Sequence, residues 1–257
     1  TDGSLDTSFY TDGKVTTNIS SAADEAYAIA VQADGKIVVV GNNWVGARYN
    51  TDGSLDTSFG TKGKIDLDPA GGAESVEIQS DGKIVLGGTD AGDFSVVRLN
   101  TDGSLDTSFD TDGKVTTDFG GTDNVFGLAI QTNGKILAGG HSGVGSDYDF
   151  AVARYNTDGS LDTSFGTDGK VTTDFGGNTD MAMSGDDSLI LLADEGNGMR
   201  IILVGRSNND LAIARYNTDG SLDTTFNGDG LVIDDLGSSD FAKSVAPQAD
   251  GKIVVAG

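Results

Sequence analysis

The chain has 257 residues, 40 acids against 16 Lys and Arg, a formal net charge of −24 and no cysteine. That charge argues against nucleic acid and against anionic membrane surfaces as partners, since both need clustered Lys and Arg. Without cysteine there are no disulfides, thiol nucleophiles or zinc–thiolate centres.

Of the acids, 36 are Asp and 4 are Glu, and 39 Gly stand beside only 2 Pro. Asp suits turns and hard cations, whereas Glu suits helices. The bias predicts an all-β protein. No apolar run reaches the length of a membrane-spanning helix, so no membrane insertion is expected. No signal sequence precedes Thr1, which fits a mature chain, a fragment or an intracellular protein.

Taken in order, the chain repeats itself. TDGSLDTSF occupies residues 1–9, 51–59, 101–109 and 157–165, and TDGSLDTTF occupies 218–226. Repeat units therefore start at 1, 51, 101, 157 and 218, and residues 1–257 read as one repeat domain. The first hairpin lies in AYAIAVQADGKIVVVG, residues 26–41. In the second unit ESVEIQ (74–79) turns through Ser80-Asp81-Gly82 into KIVL (83–86), followed by FSVVRLN (94–100) and KVTTD (114–118). VFGLAIQTNGKILAGG (125–140) and FAVARYN (150–156) repeat the pattern. The turn chemistry of Asn156-Thr157-Asp158-Gly159-Ser160 then leads to KVTT (170–173). The fourth unit departs, with a longer hairpin across 181–205 and Asn197-Gly198 at its tip. The last hairpin, 243–257, carries Pro247, which points to an edge strand.

Four short antiparallel strands per repeat of about 50 residues predict a β-propeller of four-stranded blades. About five blades are expected, one of them incomplete at the termini. Apolar residues on both faces of FAVARYN agree, because a blade has a neighbour on each side.

These motifs resemble the delta-60 repeat family of bacterial tandem arrays. The likeness rests on DGSLDTSFG-xDGKV, on hairpins of the AIAIQxDGKIVVAG type and on FAVARYN, and it covers nearly the whole chain. It implies a propeller-like fold and a secreted or surface-exposed parent protein. It implies no enzyme activity.

Each connection offers oxygens at alternate positions, as in the first half of an EF-hand loop. The sets are Asn100, Asp102, Ser104, Asp106 and Asp112; Asn156, Asp158, Ser160, Asp162 and Asp168; and Asn217, Asp219, Ser221, Asp223 and Asp229. Calcium is the candidate cofactor there. A fourth set, Asn50, Asp52, Ser54 and Asp56, is followed by Lys62 in place of the last Asp. The closing Glu of an EF-hand is missing, and the alternative is a series of Asx-turns. Both readings remain open at this level.

One Arg per unit, Arg48, Arg98, Arg154 or Arg215, shares a strand face with an apolar residue. It needs a partner, for which Asp56, Asp106, Asp162 or Asp223 is placed. No catalytic residue is expected. The sole histidine, His141, reads as a solvated loop residue, and no nucleophile motif accompanies it. The acids outside the repeat pattern, Glu25, Glu77, Asp93, Asp186, Asp187, Glu195 and Asp210, show no recognisable frame. Trp44 reads as a core residue.

The expected role is a non-enzymatic structural or scaffold protein at the cell surface or outside the cell: a surface-layer, adhesion or filament unit. It would self-associate through an incomplete blade or exposed strand edges. The alternative is a carbohydrate- or protein-binding propeller module of a larger secreted protein. A glycan-active enzyme is the third reading, against which the near-identity of the repeats stands.

Overall fold

The computed structural model describes residues 3–20, 23–67, 71–177, 179–183, 188–194, 198–248 and 250–257. Every regular element among them is a strand. The first blade is β1 (Ala26–Val31), β2 (Ile37–Gly41), β3 (Val45–Tyr49) and β4 (Lys64–Asp66). The second is β5 (Gly71–Ile78), β6 (Ile84–Asp90), β7 (Asp93–Leu99) and β8 (Lys114–Thr117). The third is β9 (Thr122–Ile130), β10 (Ile136–Val144), β11 (Asp147–Tyr155) and β12 (Lys170–Thr173). In each, consecutive strands pair antiparallel.

The fourth blade has the same order with its first strand in two pieces. β13 (Asp180–Ala182) and β14 (Leu189–Asp194) both pair with the long β15 (Gly198–Ser207), followed by β16 (Asp210–Tyr216) and β17 (Leu231–Asp234). The predicted long hairpin thus falls in a blade whose first strand is in two pieces. Its tip at Asn197, with Asp186, Asp187 and Glu195, lies outside the described residues. The fifth sheet is a hairpin of β18 (Ser244–Pro247) and β19 (Ile253–Ala256). Pro247 pairs only with Ile253 of β19, as an edge strand allows.

The second strand of each of the first three blades carries a glycine where it passes the first strand, for a steric reason. A Cβ on Gly41, Gly88 or Gly140 would sit 1.7, 1.9 or 1.7 Å from the carbonyl oxygen of Glu25, Gly72 or Asn124. These are the points where the first two strands shift register, so the backbones approach too closely for a side chain.

The core lies between blades. Along β6, Ile84 and Leu86 join Trp44 and Phe59 of the first junction, whereas Val85 faces Leu128 and Ala138 of the second. A third cluster joins Phe150 and Phe165 to Leu189 and Leu203, and a fourth joins Ile202 and Val204 to Ala242 and Val245. Strands buried on both faces carry apolar residues without a polar alternate, which explains IVL, SVV and AVA. Trp44 is fully buried and its Nε1–H donates to the Thr89 carbonyl across the first junction (3.0 Å).

Candidate functional site

The TDGSLDTSF connection is a fastening between repeats. In its second copy Asn50 N–H donates to Ser54 O (2.8 Å) and Gly53 N–H to Asn50 O (2.9 Å), which closes a tight turn. That turn then docks on the repeat before it: the amides of Tyr10, Gly60, Asp110 and Gly166 donate to the carbonyls of Asp52, Asp102, Asp158 and Asp219 at 2.5, 2.7, 2.6 and 2.8 Å. The turn glycine is needed twice over. Gly159 has φ +91°, and a Cβ there would lie 2.5 Å from Asp110 N.

The arginine of each unit completes the fastening. Arg98 Nε donates to Asp106 Oδ2 (2.7 Å), its Nη1 to the Thr157 carbonyl of the next repeat (2.6 Å), and its Nη2 to Ser108 Oγ (3.3 Å). Its guanidinium lies 4.6 Å from the Phe109 ring centroid. Arg48 makes the same contacts with Asp56 and Thr101, and Arg154 with Asp162 and Thr218. The hairpin lysine adds a second cation: Lys36, Lys83 and Lys135 reach the same aspartates at 2.9, 2.7 and 2.5 Å. In the fourth unit Arg200 replaces that lysine, and Arg200 and Arg215 share Asp223 Oδ2 at 2.8 Å each.

Burial alone would raise the carboxyls of Asp56, Asp106 and Asp162, yet hydrogen bonds from the following serines and the lysines, with the arginines alongside, hold them far below the ordinary range. Asp223 is held at about 2, against burial, by Thr225 and Arg200.

The proposed calcium sets are divided among separate tasks. Asp102, Asp158 and Asp219 each use Oδ1 to accept from both the amide and the hydroxyl of Ser104, Ser160 or Ser221. Asn100, Asn156 and Asn217 donate to those same hydroxyls. Asp106, Asp162 and Asp223 are committed to the arginines. Asp112 and Asp229 accept the amides of Lys114 and Leu231, and Asp168 sits in a tight turn at φ +53°. Here these oxygens form Asx-turns and ion pairs.

Acids gather elsewhere. One carboxylate oxygen each from Asp93, Asp118 and Asp123 lies within 4.8 Å of the other two, and Asp149, Asp174 and Asp180 repeat the arrangement one blade on, as do Asp210, Asp235 and Asp240. The first member begins or lies within the third strand, the second follows the fourth strand, and the third leads into the next blade. Asp93 and Asp210 therefore do belong to a frame. The signal was present: an Asp directly precedes Phe94, Phe150 and Leu211, and Asp recurs five or six residues after the one that follows the fourth strand.

His141 is not a solvated loop residue. It lies in β10, 2% exposed, with Nδ1 3.0 Å from the Ala182 carbonyl, Nε2 3.2 Å from Asn124 Nδ2, and the Phe126 and Tyr148 rings about it. Burial pushes its pKa down. The third-unit hairpin continues as paired strand to Val144, which buries a position that the sequence placed in a loop.

Residues 32–59, 79–109, 131–165 and 200–226 match the family model described as a domain of unknown function (DUF5122) β-propeller. The chain is a β-propeller repeat protein. Virginiamycin B lyase from Staphylococcus aureus has a similar structure, with a TM-score of 0.53 and 13% identity over 93% of this chain and 65% of the lyase. A Lactobacillus plantarum protein is similar at a TM-score of 0.52 and 13% identity over 92% of this chain and 71% of its own. At that identity the likeness is one of fold. No curated protein sequence matches the chain. The chain spans just under two thirds of the lyase's length.

The lyase corrects the expectation that this chain is not an enzyme. A propeller of this kind carries catalysis in that protein, so neither the repetition nor the missing nucleophile motif excludes it here.

Proposed function

We propose that the chain is a secreted or cell-surface scaffold of delta-60-type repeats that extends by stacking blade on blade. One observation carries this reading: the outer face of β1 is apolar and open. Tyr27, Ile29 and Val31 are 42%, 58% and 66% exposed. The counterpart of Ile29 in β9, Leu128, is 1% exposed and packs with Val85 of the preceding blade. At the far end Val254 is 49% exposed, where its counterparts Val38, Val85 and Leu137 are fully buried.

A further blade of like sequence covers both faces, whether it comes from a second copy or from more of the same chain. An open sheet face this apolar marks an association surface. The high negative charge keeps such units soluble until they join.

Sedimentation velocity over a range of concentrations tests the reading. The chain should associate reversibly, and Ile29→Asp together with Val31→Lys should weaken association at least about tenfold, the loss of some 1.4 kcal/mol. A chain that stays monomeric throughout, or variants that associate as well as the parent, would overturn it.

A further inference from the structure

We infer that the three-aspartate clusters at the blade junctions are calcium sites that tie each blade to the next. Acids in proximity are not sufficient grounds, and a second feature points to a cation. Asp123 and Asp180 are both fully buried, and each fixes its carboxylate with one oxygen only: Oδ2 accepts the amide of Phe119 or Phe175 at 2.7 Å. The other oxygen, Oδ1, is buried and has no donor among the described residues. A buried carboxylate oxygen without a partner is costly, and hydrogen bonds or a metal are the usual remedies.

Among the described residues, no Lys, Arg or His forms an ion pair with these nine aspartates. Lys170, the ammonium that comes near, donates instead to the Asp118 carbonyl (2.9 Å) and lies over the Phe119 ring. Burial, then the charges of Asp118, Asp123 and Asp90, push the Asp93 carboxyl up; burial, then Asp174, Asp147 and Asp180, do the same to Asp149. Backbone amides preset the ring of acids, since Gly120 and Gly176 hold Oδ1 of Asp118 and Asp174 at 2.5 Å.

The size suits calcium. Oxygens on one Ca²⁺ lie about 2.3–2.6 Å from the ion and so at most about 5 Å apart, which contains the 4.8 Å span here. Three carboxylates from two blades supply the charge, and water or backbone carbonyls complete the sphere. The Asp210, Asp235 and Asp240 cluster is more exposed and should bind more weakly, although its Asp240 Oδ2 takes the Leu236 amide (2.8 Å) as Asp123 takes that of Phe119. The first blade serves as an internal control. Asp24 accepts the Ile19 amide as Asp123 accepts that of Phe119, but Asn18 stands where Asp118 would be.

Calcium titration of the chelator-treated full chain, followed by calorimetry and by thermal unfolding, is the test. Two stronger sites and one weaker are expected. Asp123→Asn and Asp180→Asn should each remove one strong site, and Asp102→Asn, from a turn, should remove none. Asp93→Asn has a second readout. It should raise the midpoint of unfolding without calcium, by relieving repulsion, and abolish part of the gain with calcium; it also answers the question if Asp123→Asn does not fold. The inference is overturned by no binding up to about 10 mM, tenfold above the weakest extracellular calcium modules. It is also overturned by sites lost in Asp102→Asn instead of the junction variants, or by magnesium acting equally.

Discussion

Arg98 lies 2.6 Å from the carbonyl oxygen of Thr157, a residue of the following repeat, while its Nε holds Asp106 in its own. One guanidinium thus joins a strand, the connection after it and the turn of the next unit. The planar guanidinium spreads its donors over three nitrogens and so reaches these acceptors together, whereas a lysine concentrates its donors on one nitrogen.

Arg98→Ala should therefore destabilise the chain, but by less than the about 3–5 kcal/mol of a fully unpaired buried charge, because Lys83 still reaches Asp106. Arg98→Lys should recover the charge on Asp106 but not the link to Thr157, and so restore only part. Urea unfolding of the two variants checks the order.

Glycine at the turn carries two separable costs. Gly145, at φ +71° with open space around it, should lose about 1–2 kcal/mol on mutation to Ala through backbone strain alone. Gly159→Ala must add a clash with Asp110 N and should cost clearly more. Equal losses would mean that the docked turn is not under contact.

Acid should act through the paired aspartates. Their folded pKa values are depressed, so the stability they contribute is complete above the unfolded value of about 3.9 and is lost as pH falls through the folded one. For Asp223 that window runs from about 4 down to about 2. Unfolding midpoints should hold above pH 5 and fall steeply below pH 4, and Asp223→Asn should flatten its share of the fall.

A smaller link crosses the junction between the second and third blades, and recurs between the third and fourth. Tyr155 OH and Thr117 Oγ1 are 2.8 Å apart and buried, and burial pushes the phenol far above its usual range. Tyr155→Phe should cost about 1 kcal/mol, the usual net worth of such a bond.

The repeat and its strands were legible because turn chemistry and β patterning are local. IVL and AVA runs gave strands buried on both sides, and the Arg and Asp of one unit could be paired from their recurrence. The aspartate clusters were not legible in the same way. Asp93, Asp118 and Asp123 belong to two blades, and only the ring geometry brings their oxygens together. In the alternate-oxygen sets, spacing shows which oxygens are near in sequence but not which donors reach them. Ser104 and Arg98 claim the oxygens that the spacing offered to an ion. His141 was misplaced because strand pairing extends through Val144, beyond the point where the glycine-rich sequence suggested a loop.

TDGSLDTSF fastens one repeat to the next. Native-state hydrogen exchange at the amides of Gly60, Asp110 and Gly166 tests it most directly. Asp110 is an exposed loop residue, yet its amide is given to Asp158 of the neighbouring repeat. These three amides should be protected as strongly as those of β6 and β10 and exchange only through opening of the junction. Exchange at the rate of an ordinary surface loop would contradict it.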